Sequence, residues 1–166
     1  MLEIEKANEF ARRFFNETAG VGLDDVEAAI RKQDNSLREE RIFFGLDDRW
    51  LVQQCGHYLL YGSEYILSIA AELTRTFGEE IDYRRFLKRR GNPTVVVCNV
   101  PSSTIRGSVV FELAGAMLKN IFQDLVEPDR QDEPIDFGFD IFEALPPECI
   151  VKFLHPVEIR DPFHLD

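Results

Sequence analysis

Ten residues, GHYLLYGSEY (Gly56–Tyr65), hold one His, three Tyr, one Ser and one Glu. Side chains of these types can move protons. A His beside a Tyr works as an acid–base pair when a third group positions it, and is otherwise a structural ring contact. His57 and Tyr58 fit either description. Tyr58, Tyr61 and Tyr65 are spaced i, i+3, i+7, along one side of a helix or turn. Such a row either lines a cleft or rims a core with its hydroxyls reaching water. Ser63 follows Gly62, but no glycine stands two residues beyond it, so a nucleophile elbow is not supported. Ser63 is a good N-cap, and Glu64 then falls in the first turn, where a carboxylate complements the helix dipole. Asn99 stands at the end of a β-branched run, just before Pro101. Strand ends of this kind host ligands in open sheets, and Asn equally forms turns. His57, Tyr58, Ser63 and Asn99 are the candidate ligand-binding residues.

The familiar catalytic patterns are missing. No glycine arrangement matches GxGxxG or GxxxxGK[ST], and neither GxSxG nor HExxH is present. Cys55, Cys98 and Cys149 are odd in number and far apart, with no metal-ligand spacing, so no metal site is expected. His155 and His164 are likewise scattered. The cysteine pattern suits a reducing cytoplasm.

The 166 residues fit one domain of ordinary size, 45% hydrophobic and 30% charged, with fourteen Phe to build a core. No apolar run reaches 18 residues and the N-terminus lacks a signal-peptide pattern, so no membrane association is expected. The net charge of −11 disfavours nucleic acid as a partner. One basic segment, YRRFLKRRGN (Tyr83–Asn92), reads as a short helix with a solvated face, or else as an anion contact.

These residues must be positioned by a small set of elements. Ile4, Ala7, Ala11 and Phe14 predict a helix over 3–18. Asp24 and Glu27 resemble a capping box for a second helix running to about Lys32, broken by QDNS. RIFFG (Arg41–Gly45) predicts a short buried strand, and Asp47 or Asp48 caps a helical turn that buries Trp50 and Leu51. From Ser63, an apolar face of Ile66, Ile69, Ala70, Leu73 and Phe77 predicts a helix over 64–77. Glu64, Ser68, Glu72 and Arg75 fall on its other face. Asp82 caps a short helix through Arg90. TVVVCNV (Thr94–Val100) predicts a strand buried on both faces, with Cys98 a buried thiol. Val110, Leu113, Ala114, Met117, Leu118, Ile121 and Leu125 mark a helix over about 108–126. Its Ala114–Gly115–Ala116 waist lets another element approach closely. EPDRQDEPID (127–136) is an acidic loop, and FGFDIFE and CIVKFLHP predict two late strands, near each other in space. The class is α+β: a helical region over 1–40, then a small mixed or antiparallel sheet of about four to six strands flanked by helices, all in one domain over 1–166.

Four short stretches, RIFFGLDD, SIAAEL, TVVVCNVP and EALPPECI, together span 41–152. In that order they resemble proteins of the ADP-ribosyltransferase-like fold. The resemblance implies NAD binding and transfer of ADP-ribose through an oxocarbenium-like ribosyl cation. It would give Tyr61 or Ser63 the task of holding the cofactor, and Glu143 or Asp140 that of orienting the ribose. Two features depart from the family pattern: no HGT-like or YRG-like strand precedes Arg41, and no ExE or QxE motif marks the late acid. The second reading is a non-catalytic acidic interaction module of the inhibitor or immunity type, docking a basic protein partner. The −11 charge and the 127–136 loop favour it, because such a field speeds encounter with a cationic surface.

Overall fold

The computed structural model describes residues 4–33, 41–78, 80–88, 90–130 and 133–164. The first helix, α1 (Ile4–Ala19), buries Ala11, Phe14 and Phe15 along one stripe. α2 (Leu23–Arg31) adds Val26, Ala29 and Ile30. Its N-cap is Gly22 rather than Asp24, with no side-chain cap; Asp24 and Asp25 sit inside the first turn, where their charge still suits the dipole. The break expected at QDNS falls largely outside the described residues.

β1 (Ile42–Gly45) leads into α3 (Asp48–Gln53), where Asp47 caps the helix by accepting from the Arg49 backbone N–H at 2.9 Å. Trp50 and Leu51 are half-buried there, and Phe43 of β1 is exposed. The lead-in to the long apolar helix is itself a helix, α4 (Gly56–Tyr61). Gly62, with φ of 87°, makes the turn a side chain would resist, and Ser63 opens α5 (Glu64–Phe77) by accepting from the Ile66 N–H at 3.3 Å. α5 forms the centre of the core: Tyr65, Ile69, Ala70 and Leu73 are all but sealed from water. Burying a side chain of the Ile, Leu or Phe class stabilises by roughly 1.5–3 kcal/mol, so this helix and α1 dominate the fold. α6 (Arg84–Lys88) closes the layer through Leu87, with Asp82 accepting from the Arg84 N–H.

Glu72 departs from the helical wheel. It is buried, held by Lys32 Nζ of the turn after α2 at 2.6 Å and by Arg75 at 2.5 Å. α2 packs across the side of α5 that periodicity assigns to solvent, and the carboxylate is retained there because two cations neutralise it.

β2 (Val95–Cys98) pairs antiparallel with β4 (Ile150–Leu154), and β1 pairs antiparallel with β3 (Gly138–Ile141). The α+β class therefore holds, with four antiparallel strands among the described residues, divided between two ribbons; the two late strands pair with different partners. A two-stranded ribbon has too little surface to bury both its faces. Val95 and Ile141 are buried, while Val96 and Phe153, opposite each other across β2–β4, are exposed. Cys98 is half-buried, not sealed. α7 (Gly107–Val126) follows β2 and buries only Val109.

Candidate functional site

Two of the lead-in side chains, Tyr58 and Tyr61, lie at an open depression, and His57 is not among its lining residues. Tyr58 and Tyr61 of α4, with Ser63, Ile66, Leu87, Arg90 and Thr94, line a depression of about 460 Å³ between α1, α4 and the segment after α6. Three of its polar side chains are already engaged. Ser63 Oγ caps α5. Arg90 donates to Thr18 Oγ1 at 3.1 Å and lies over the Phe14 ring. The Thr94 hydroxyl donates to Asn92 O at 2.9 Å and lies 3.1 Å from His155 Nδ1. The cleft thus offers one cation and several hydroxyls, with no carboxylate among its lining residues.

Tyr61 is buried, and its hydroxyl donates to Asp161 Oδ2 at 2.6 Å. Lys88 Nζ meets the same oxygen at 2.9 Å, and the Phe163 N–H donates to Asp161 Oδ1 at 2.9 Å. Burial works against ionised Asp161, but the bonds from Tyr61, Lys88 and Phe163 outweigh it and hold the carboxyl at about 2. Burial and that carboxylate together push the Tyr61 phenol upward. His57 packs on Tyr58, with ring centroids 4.1 Å apart, and on Phe163 at 5.9 Å. Burial lowers its pKa below the ordinary value, with the Glu64 charge opposing. Arg84 covers the Phe163 ring at 4.6 Å. The Arg160 N–H donates to Val52 O at 3.2 Å, and Gly56 lies so close that an added Cβ would sit 2.1 Å from Arg160 O. These contacts form a clasp that straps residues 159–163 across α3, α4 and α6. Asp161 gives a weak sign in the sequence, standing before Pro162, a turn-forming pair. Its partnership with a residue one hundred positions earlier leaves no local trace.

The other candidates stand elsewhere. Asn99 is exposed beyond β2, its backbone N–H donating to Cys149 O at 2.8 Å. Asp140 of β3 accepts from Arg106 at 2.9 Å and from Arg41 at 3.4 Å, and both guanidinium groups stand over the Phe142 ring. Glu143 is exposed in the turn that follows. Tyr65, third in the aromatic row, is buried and donates to Asn8 Oδ1. Tyr58 and Tyr61 thus share the depression, while Tyr65 belongs to the core. Among the described residues, no group of three His, Cys, Asp or Glu is placed to hold a metal ion.

The largest unexplained surface lies on α7. At 100° per residue, Phe111, Ala114, Leu118, Ile121 and Leu125 fall on one stripe, and all five are exposed. Val110, Met117 and Phe122 widen it. The opposite side, turned toward the rest of the chain, carries the half-buried Leu113, Asn120 and Gln123 with Val109. Arg130 ties the following loop back by donating to Asn120 Oδ1 and Asp124 Oδ1. The helix is thus inverted: its more apolar side faces water. Among the described residues, no helix is long and apolar enough to cross a membrane.

Compared with protein-family models, curated proteins and solved structures, the chain matches none.

Proposed function

We propose that this protein is an interaction module that docks another polypeptide along the outer face of α7. The observation that carries this reading is the inverted helix: Phe111, Leu118 and Leu125 are 81%, 66% and 77% exposed on one stripe. Contiguous apolar surface of this extent on a folded chain marks an association site. A basic partner draws less support: the net −11 and the five acids of residues 127–136 favour a cationic surface in general, but the α7 stripe itself carries no charged residue to meet one. The three cysteines, none in a disulfide, fit work in a reducing compartment such as the cytoplasm.

The NAD-binding, ADP-ribosyltransferase-like reading draws less support. It gives the working roles to Tyr61 or Ser63 and to Glu143 or Asp140; the Tyr61 hydroxyl is committed to Asp161, Ser63 caps α5, Asp140 is held by two arginines, and Glu143 is exposed in the turn after β3. Calorimetric titration with millimolar NAD is expected to give no saturable heat; saturable binding that Ser63→Ala weakens would reinstate it.

Hydroxyl-radical footprinting in cell extract tests the docking reading. Phe111, Leu118, Phe122 and Leu125 are expected to be protected relative to Val157, which is 98% exposed on the tail. Labelling of the α7 residues as free as that of Val157 would end the proposal.

A further inference from the structure

We infer that the polypeptide docked on α7 is a second copy of the same chain, joined through a two-fold pairing of α7 with α7. This rests on the docking reading above and names its partner.

Two observations select this occupant. The first is spacing. Phe111, Ala114, Leu118, Ile121 and Leu125 follow one another at intervals of three, four, three and four. That is the a/d alternation of a helix pair, in which each knob enters a hole on the facing helix. A stripe with this repeat is complementary to another copy of itself, as an isologous two-fold interface requires. Gly115 lies beside the stripe in open space, with nothing within 4 Å of an added Cβ, so a second backbone can come close at the middle of the helix. The second is area. At its fractional exposures the stripe and its flanks leave on the order of 800 Å² of side chain in water, which is what each partner contributes to an interface of standard size. A symmetric pair that covered most of this face would approach an interface of standard size.

Charge does not oppose the arrangement strongly. No charged residue lies on the stripe; Glu112, Lys119 and Asp124 flank it. The remaining acids lie off the stripe, and repulsion between exposed charges fades over roughly 8 Å at physiological salt. A lipid surface is a poorer match. Interfacial helices carry Lys and Arg on their polar side, whereas α7 has Lys119 alone, and a chain of −11 is repelled by anionic lipid.

Sedimentation equilibrium of the whole chain, from sub-micromolar to about 100 micromolar, is the test, read beside the footprint in extract. The expected mass is twice that of the chain, with α7 protected in the purified protein. Leu118→Glu, at an exposed position, is expected to return the mass to one chain with an unchanged circular dichroism spectrum. Val157→Glu, on the tail, is expected to leave the doubled mass intact. If Leu118→Glu misfolds, Ala114→Glu on the same stripe takes its place. A doubled mass that survives both stripe variants overturns the inference. A single-chain mass throughout, with α7 protected only in extract, overturns the second copy and leaves docking to a different partner. Protection in the purified protein only on adding anionic vesicles overturns it in favour of lipid. A single-chain mass with α7 freely labelled in extract overturns both readings.

Discussion

Gly56→Ala should loosen the tail clasp and lower the stability of the whole domain. An alanine Cβ at this position would lie 2.1 Å from Arg160 O and 2.8 Å from Ile159 Cγ2. The first of these is backbone and cannot rotate away. Either residues 159–161 move off α4 or α4 shifts against α5. Forcing extra volume into a closed contact of this kind costs about 1–3 kcal/mol. The substitution also gains up to about 1 kcal/mol of helix propensity, because Gly56 lies in α4. The net loss is at most about 3 kcal/mol, and for a chain of this size that is a fall of up to about 12 °C in melting temperature. Thermal unfolding by circular dichroism measures it. Hydrogen exchange locates it: the Arg160 N–H, bonded to Val52 O, and the Phe163 N–H, bonded to Asp161, should exchange faster than in the parent. A variant that melts at or above the parent temperature, with the Arg160 amide still protected, would refute the close approach and the clasp with it.

Tyr61→Phe removes one of the three donors to Asp161 and is expected to cost about 0.5–1.5 kcal/mol near neutral pH by urea unfolding. Its pH dependence is specific. Asp161 titrates at about 2 in the folded protein, below its ordinary 3.8, so its stabilisation is present above about pH 4 and is lost as pH falls toward 2. The parent and the Phe variant should therefore converge on acidification, and a constant gap across that window would count against the Tyr61–Asp161 bond. Folding also raises the Tyr61 pKa, so the unfolded chain releases that proton first and parent stability should drop as pH rises past about 10. The Phe variant should show a shallower alkaline fall. Ser63→Ala removes the cap of α5 and is expected to cost about 1 kcal/mol, which thermal melting reads as a fall of about 2–4 °C. An unchanged melt would mean the cap carries no weight.

The local elements are legible in the sequence because each is written in the backbone's own period. Ser63, the i, i+3, i+4 apolar run and Gly78 delimit α5 at Glu64–Phe77. Asp47 and Asp82 cap the turns they precede. The α+β class follows from the order of such segments. Of the candidate residues, Tyr58, Tyr61 and Ser63 line one depression, since they are neighbours in the chain, and His57 does not. Asp140 on β3, and Glu143 and Asn99 just beyond β3 and β2, stand apart from it, where strand pairing decides position.

What only the tertiary structure decided is which surface each pattern meets. The apolar residues of α7 predict a helix correctly, yet their spacing cannot say whether the stripe faces its own core or a partner; the stripe faces out because α1, α2 and α5 already complete the core. Glu72 has the position of a solvent residue and is buried because α2 crosses it. Gly56 and Gly115 are both helical glycines, one closed in by Arg160 and one open to solvent. Periodicity is a property of adjacent residues, and it sets conformation. Burial is a property of surfaces that meet, and here those surfaces come from positions as far apart as Tyr61 and Asp161.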